Sequence, residues 1–193
     1  MLSEALKVAG IPHWYCLATD KSMLLEALGN HLIAAWTTHQ RLPILHLSMH
    51  GTNDGVALTS GEFLSWHELR EHLLPLLRKM QGGLLICMSS CFGSAGCRMA
   101  MYTDGEPPFW ALVGNNASAT WADAAVAYVS FYHLLFKDFP VPICVESMKA
   151  ASGDHQFNCW FGNETQKDWQ LFLQQNANQL QPPKPKNENP NSE

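Results

Sequence analysis

The chain has 193 residues, of which 47% are hydrophobic and 15% are charged, and its formal net charge is −5. This length suits one well-buried domain, and the apolar content excludes global disorder. An acidic chain without a basic stripe is not expected to bind nucleic acid. We find no targeting segment and no apolar run long enough for a bilayer, so we expect a cytoplasmic protein without membrane contact.

The first quarter of the chain predicts two helices and two strands. A short helix is predicted over residues 2–8 and a strand over 13–19, where apolar and aromatic residues cluster. Four apolar residues then recur at helical spacing: Leu24, Leu28, Leu32 and Trp36. They predict an amphipathic helix over 21–39. The apolar run 44–49 predicts a second strand, which leads directly into His50.

The middle of the chain predicts a hairpin, a helix and a buried strand. Residues 56–64 have the alternating apolar and turn-forming pattern of a small hairpin. Ser65 and Glu68 have the spacing of a capping box, which predicts that a helix starts there. The continuous apolar run 84–88 is typical of a central parallel strand that is buried on both faces.

The last part of the chain predicts strands over 109–114 and 142–147, with helices over 120–136 and 164–175. Strands that alternate with helices indicate an α/β fold with a mostly parallel sheet. We therefore predict a three-layer αβα sandwich in which helices cover both faces of that sheet.

These elements fit a single domain over residues 1–180. The remaining segment, 181–193, is rich in Pro and Asn and offers no apolar side chain as an anchor. We expect this C-terminal tail to be disordered.

Two of the predicted strands end at reactive side chains. The strand over 44–49 ends at His50 and Gly51, and the strand over 84–88 is followed by Cys91 in a loop of small residues. Active sites of open α/β sheets lie at the carboxyl ends of strands, so His50 and Cys91 meet at one rim if these strands are neighbours. A thiol beside an imidazole is what nucleophilic Cys–His catalysis requires. The backbone N–H groups of Gly51 and Cys91 are candidate donors of an oxyanion hole.

Other interpretations of these residues stay open at this level. A histidine at a strand end is commonly solvated, and a cysteine after an apolar strand is often inert. Cys87, Cys91 and Cys97, together with a histidine, also have the ligand types of a zinc site. The sequence has no paired C-x₂-C knuckle and Cys87 lies inside a strand pattern, so we expect neither a metal nor another cofactor.

Four sequence blocks resemble the caspase-like cysteine peptidases, and within that group the bacterial CHAT domains in particular. The first and third blocks are ILHLSMHG (44–51) and LLICMSSCFGS (84–94), two apolar strands that end in His-Gly and in Cys. The hairpin and helix DGVALTSGEFLSWHEL (54–69) and the strand, Trp-containing loop and helix within 107–136 are also similar to that group. The likeness extends over residues 13–147.

The resemblance implies a caspase/hemoglobinase-like form of the sandwich and a role for each matching position. Cys91 matches the nucleophile, and His50 matches the histidine that assists thiolate attack and protonates the leaving amine. Gly51 matches the oxyanion-hole glycine. The group has no essential third acidic member, so none is assigned.

The substrate pocket departs from the better-known members of the group. Caspases carry an arginine near the end of the first strand, where this chain has Asp20, so a pocket specific for Asp is not expected. Many metacaspases have an acid two residues before the cysteine, where this chain has Ser89. Asp20, Ser89 and Trp121 are candidate substrate-binding residues, although Asp20 equally suits a helix cap and Trp121 a packing role.

The sequence supports two functions from different classes. The first is a cysteine endopeptidase that cleaves a protein substrate in a regulated bacterial pathway, such as antiviral defence, with a separate activator or regulatory protein. The second is a catalytically silent scaffold of the same fold that acts through protein–protein contacts. The presence of both His50 and Cys91 favours the peptidase, because a scaffold has no chemical reason to keep the pair.

Overall fold

The computed structural model describes residues 1–80 and 83–176. In chain order the strands are β1 (Ile44–Ser48), β2 (His50–Gly51), β3 (Gly55–Ala57), β4 (Phe63–Ser65), β5 (Leu85–Ser89), β6 (Ala111–Asn115) and β7 (Phe157–Phe161). The α-helices are α1 (Leu2–Val8), α2 (Lys21–Glu26), α3 (Leu32–His39), α4 (Trp66–Met80), α5 (Trp121–Leu135), α6 (Val141–Ser152) and α7 (Gly162–Gln175). A π-helical turn, Ala27–His31, joins α2 to α3, and a 3-10 helix covers Gly93–Ala100.

The central sheet has the strand order β1-β5-β6-β7. Strands β1, β5 and β6 run parallel, with Ile44 opposite Leu85 and Leu85 opposite Ala111. Strand β7 runs antiparallel to β6 and places Phe161 opposite Ala111. The prediction of an α/β fold with a mostly parallel central sheet is confirmed.

Helices cover both faces of this sheet, because the side chains of β5 alternate between two hydrophobic clusters. Ile86 and Met88 belong to one cluster, and Leu85 and Cys87 belong to the other. The first cluster includes residues of α2, the π-helical turn and α4: Leu24, Leu28, Leu69, Leu73 and Leu76. The second includes residues of α5 and α6: Ala127, Tyr128, Phe131, Cys144, Val145 and Met148. This arrangement is compatible with a three-layer sandwich.

A small antiparallel sheet, β2-β3-β4, follows the end of β1 and leads into α4. The predicted hairpin is therefore present. The predicted capping box is present as well, since Ser65 Oγ accepts the Glu68 N–H at 3.2 Å and the Glu68 carboxylate accepts the Ser65 N–H at 2.9 Å. These hydrogen bonds fix the start of α4 directly after β4.

The remaining helix predictions are confirmed with small changes at their ends. Helix α1 has the predicted bounds. The predicted helix over 21–39 is present as α2, the π-helical turn and α3. Helix α5 lies within the range predicted over 120–136, and α7 covers the range predicted over 164–175 and begins two residues earlier. Each of these predicted ranges thus contains a helix, and the apolar spacing of Leu24, Leu28, Leu32 and Trp36 correctly indicated the one over 21–39.

The strand predicted over 13–19 is wrong. These residues adopt no regular secondary structure, and Trp14, Tyr15 and Leu17 are exposed. Aromatic and branched residues suggested the strand, but a strand also needs a hydrogen-bonded neighbour, and the sequence does not reveal whether one is available.

The strand predicted over 142–147 is also wrong, because these residues belong to α6. Its buried side chains have the i, i+3, i+4, i+7 spacing of a helix: Val141, Cys144, Val145 and Met148. Pro142 lies in the first turn, and Gly153 ends the helix with a φ of 73°. The antiparallel edge strand is β7 instead, which we did not predict.

The predicted tail, 181–193, lies outside the described residues, as does the end of the predicted domain. In the part of the chain that the structure describes, every helix is too short or too polar to cross a membrane.

Candidate active site

His50 and Gly51 lie where the central sheet passes into the small sheet. Strand β1 ends at Ser48, and the N–H of Met49 donates to the carbonyl of Ser89 at 3.4 Å, which continues the pairing with β5 by one residue. Strand β2 starts immediately afterwards, so His50 is exposed at the carboxyl end of β1. Parallel pairing of β1 with β5 brings this end next to the end of β5.

Cys91 follows the end of β5 in a tight turn. The carbonyl of Ser90 accepts the N–H of Gly93 at 3.3 Å, and Phe92 has a left-handed φ of 53°. A non-glycine residue in this region of φ costs free energy, which the surrounding packing must offset. The turn leaves Cys91 half-buried rather than buried.

The backbones of Gly51 and Cys91 are in direct contact. A Cβ atom added at Gly51 would overlap the Cys91 carbonyl oxygen and would lie 2.9 Å from Ser90 Oγ. Only glycine fits at this position without moving the turn that carries the cysteine. Since β1 and β5 are neighbours, the condition set by the sequence is met, and His50-Gly51 and Cys91 lie at one rim.

The amide of Gly51 is not used by the small sheet. The N–H of Thr52 donates to the carbonyl of Gly55 at 2.9 Å, so these two residues are a hydrogen-bonded pair. Hydrogen-bonded and non-hydrogen-bonded pairs alternate in an antiparallel ladder. Gly51 and Val56 form the next pair, which is therefore non-hydrogen-bonded. The Gly51 N–H therefore points away from β3, and within residues 1–80 and 83–176 no hydrogen bond from it to a loop or turn is recorded.

The loop 116–120 covers the other side of Cys91. The Cys91 Sγ donates to the carbonyl of Ala119 at 3.8 Å, and the N–H of Phe92 donates to the carbonyl of Ala117 at 2.9 Å. Trp121 begins α5 directly after this loop, and its ring is 6.2 Å from that of His50, edge to face. With 59% of its surface exposed, Trp121 borders the site and is accessible to a ligand.

Ser90 contributes a buried hydroxyl that the sequence did not single out. The residue is 7% exposed, and its Oγ has no hydrogen-bond partner in the described residues. This oxygen lies between the backbones of Gly51 and Gly93. A buried hydroxyl without a protein partner is uncommon and costs free energy.

Asp20 acts as a helix cap in this structure. Its carboxylate accepts the N–H of Met23 at 2.9 Å and the hydroxyl of Ser22 at 2.7 Å, at the start of α2. These two hydrogen bonds, the backbone one first, lower the pKa of Asp20. Contact between Asp20 and a substrate stays a prediction.

Ser89, the third of the predicted pocket residues, is the last residue of β5 and is buried. Thr120 caps α5: its hydroxyl accepts the Asp123 N–H at 3.1 Å and donates to the Asp123 carboxylate at 2.6 Å. Asp20, Ser89 and Trp121 thus lie on three different elements. Trp121 is the one for which a contact with the dyad is recorded among residues 1–80 and 83–176.

Burial keeps most of the remaining cysteines protonated. It raises the pKa of Cys87 to about 12 and also raises the pKa of three other thiols: Cys97, Cys144 and Cys159. Cys87 lies in β5 beneath Tyr132. Within the described ranges no group of three His, Cys, Asp or Glu side chains is arranged to hold a metal ion.

The sequence analysis did not identify the loop 116–120 or the two residues that hold it, Asn115 and Asp154. Asn115 ends β6 and binds both this loop and Asp154, which lies after α6. An Asn at the end of an apolar strand was the available signal, because a buried amide at a strand end commonly fixes the next turn. Asp154 carried no comparable signal, since its partner is 39 residues away in the sequence.

No protein-family model matches the chain, and a search of curated proteins gives no significant match. The chemistry of this rim must therefore be argued from its own residues.

Proposed function

We propose that this chain is a cysteine endopeptidase with a caspase-like fold, in which Cys91 is the nucleophile and His50 the proton carrier. The observation that carries the proposal is the contact between the two strand ends, which leaves Gly51 no room for a side chain beside Cys91. A thiol, an imidazole and free backbone N–H groups at one rim are the parts that acyl transfer needs.

In the proposed reaction, His50 accepts the Cys91 proton and Sγ attacks the carbonyl carbon of a peptide bond. The carbonyl oxygen becomes negatively charged, and the N–H groups of Gly51 and Cys91 bind it. In the described residues the Cys91 N–H has no protein acceptor, so both donors are available. The hydrogen bonds from these two N–H groups strengthen as negative charge develops on the carbonyl oxygen, which lowers the activation barrier. In other hydrolases, removing one such donor lowers the rate about 10²–10³-fold.

The tetrahedral intermediate then collapses. The C–N bond breaks as His50 returns its proton to the leaving amine, and a thioester with Cys91 remains. Water attacks this thioester while His50 takes one of its protons, and the C–S bond breaks to release the acid and restore the thiol. Each step uses the same two side chains, so no cofactor is required.

Access to the rim supports a polypeptide substrate. His50 is exposed, and Trp121 beside it is free to pack against a substrate side chain. We propose a protein substrate that binds in an extended form across the rim. Asp20 and Ser89 stay candidate pocket residues within this proposal.

One observation favours either the silent scaffold or a need for a separate activator. The recorded hydrogen bond of Cys91 Sγ is to the Ala119 carbonyl rather than to His50. In this arrangement the thiol proton is directed at Ala119 and not at His50. We propose that a regulatory protein or the substrate itself turns the thiol toward His50, as catalytic hydrogen bonds commonly tighten only in the complex.

The test compares the wild type with Cys91→Ala and with a matched control, Cys159→Ala, on a diverse peptide library. Cysteine 159 is also half-buried but lies on β7. We expect cleavage by the wild type and by the control, and none by Cys91→Ala. Each protein is also treated with a thiol-reactive probe, because an activated thiolate reacts much faster than an ordinary cysteine.

Three outcomes separate the hypotheses. Cleavage that requires Cys91 supports the peptidase. Equal cleavage by the wild type and Cys91→Ala overturns it. No cleavage, together with slow labelling of Cys91 both alone and with cell lysate added, favours the silent scaffold.

A further inference from the structure

A buried amide, Asn115, and a half-buried carboxylate, Asp154, lie behind the candidate nucleophile. Asn115 is 0% exposed and uses both ends of its side chain. Its Oδ1 accepts the N–H of Ala117 at 2.8 Å, and its Nδ2 donates to Asp154 Oδ2 at 2.6 Å. A side chain held at both ends has one orientation, so the turn after β6 is fixed by it.

Asp154 is itself held by the backbone around it. Its Oδ1 accepts the N–H of Gln156 at 2.9 Å, and its own N–H donates to Ser152 Oγ at 3.2 Å. The carbonyl of Gln156 in turn accepts the N–H of Asn116 at 2.9 Å. The segment between α6 and β7 therefore forms a rigid support for Asn115.

The loop that Asn115 fixes touches Cys91 and its neighbour Phe92. The carbonyl of Ala117, the residue whose N–H Asn115 binds, accepts the N–H of Phe92 at 2.9 Å. The carbonyl of Ala119 accepts Cys91 Sγ at 3.8 Å. A chain of hydrogen bonds thus runs from Asp154 through Asn115 to the turn that holds the thiol.

Close packing at the end of β6 strengthens this coupling. A Cβ atom at Gly114, next to Asn115, would lie 2.6 Å from the Gly93 carbonyl carbon and 2.6 Å from the Ser94 nitrogen. The turn after Cys91 therefore rests directly on the backbone of β6. A shift of Asn115 cannot be absorbed by empty space, and it is transmitted to the nucleophile.

We propose that Asn115 and Asp154 form a positioning pair that sets the left-handed turn at Phe92 and thereby the direction of the Cys91 thiol. The inference rests on the proposed function for its catalytic consequence. Neither residue reaches the rim, so both act through the loop 116–120. A nucleophile displaced by about 1 Å loses on the order of 10² in rate, which gives such a pair leverage over the reaction.

The hydrogen bond between the two side chains can be reversed. Asn115→Asp places a carboxylate against the Asp154 carboxylate, and Asp154→Asn leaves one of two N–H groups without an acceptor. In the double variant, Asp at 115 accepts both the Ala117 N–H and the new amide at 154, while that amide's oxygen still accepts the Gln156 N–H. The matched control is Asn163→Asp, since Asn163 is exposed in the first turn of α7, beyond the amino end of β6, and no side-chain hydrogen bond is recorded for it among the described residues.

The experiment measures the alkylation rate of Cys91 relative to exposed Cys16 by mass spectrometry between pH 6 and 9, with peptide cleavage where the wild type cleaves. We expect each single variant to change the Cys91:Cys16 ratio at least fivefold and to lower kcat about tenfold with little change in KM. The double variant should return both values to within about twofold of the wild type. Asn163→Asp should leave them unchanged.

The result separates this inference from the peptidase proposal. If the wild type does not cleave, alone or with cell lysate added, the peptidase proposal fails, but the alkylation ratio still reports the position of the thiol. If Asn115→Asp does not fold, the thermal transition shows it, and the Asp154→Asn and double variants carry the test. An alkylation ratio in the single variants equal to that of Asn163→Asp, or a double variant no closer to the wild type than the singles, would overturn the positioning pair.

Discussion

Replacing Gly51 by alanine should separate the two backbones that form the rim. The new Cβ atom would lie 2.9 Å from Ser90 Oγ and would overlap the Cys91 carbonyl oxygen. Ordinary contacts of a methyl carbon begin at about 3.5 Å. The turn that carries Cys91 must therefore move away from residue 51 by more than about 0.5 Å at Ser90 Oγ, and by a larger distance at the Cys91 carbonyl oxygen.

The expected size of the effect follows from this displacement. Overpacking of this kind costs about 1–3 kcal/mol of unfolding free energy, which corresponds to a fall in Tm of about 2–12 °C for a domain of this size. The Gly51 N–H moves with its Cα, so an oxyanion donor is lost or misplaced. We expect kcat/KM of the proposed peptidase to fall by at least about 10²-fold.

The assay combines thermal unfolding with peptide cleavage, and Gly29→Ala is the matched control. Gly29 lies in the π-helical turn, and a Cβ atom there meets nothing within 4 Å. That variant should gain up to about 1 kcal/mol and keep its activity. If Gly51→Ala has the Tm and the activity of the wild type, Gly51 and Cys91 do not approach each other closely, and the proposed arrangement of the rim is wrong.

Three further predictions concern residues outside the rim. Burial lowers the pKa of His46 in the folded protein to about 4, whereas the pKa of a histidine in the unfolded chain is about 6.5. The contribution of neutral His46 to the free energy of unfolding is therefore complete above pH 6.5 and is lost as the pH falls toward 4. The loss is at most about 3 kcal/mol; denaturant titrations between pH 7 and 5 should show this slope in the wild type, and an equal slope in His46→Gln would contradict it. Arg70 is 2% exposed and donates to both the carbonyl and the carboxylate of Asp104, so Arg70→Lys should cost about 1–3 kcal/mol; an unchanged midpoint in urea would refute this. Cys87, with its pKa raised to about 12 by burial, should resist iodoacetamide at pH 8 until the protein unfolds, whereas labelling at the rate of exposed Cys16 would show that β5 is open to solvent.

The two mistaken strands show where local pattern is insufficient. Residues 13–19 have strand composition but no strand partner, and pairing is decided by distant parts of the chain. Residues 142–147 lie in α6, whose buried positions span 141–148, a longer window than the apolar run that suggested a strand. Both errors come from short apolar segments, which periodicity alone does not assign.

The sequence by itself determined the helices with clear apolar spacing, the strands that lead to His50 and Cys91, and the capping box at Ser65. These features depend on residues a few positions apart, whose side chains interact in any fold that forms the element. It also suggested which two strand ends carry chemistry.

Only the tertiary structure decided that those ends are neighbours, that Gly51 touches the Cys91 backbone, and that the Cys91 thiol faces the Ala119 carbonyl. It also paired Asn115 with Asp154 across 39 residues. The physical reason is that contacts between distant segments depend on strand order and on packing across the sheet. Neither of these leaves a periodic signal in the chain.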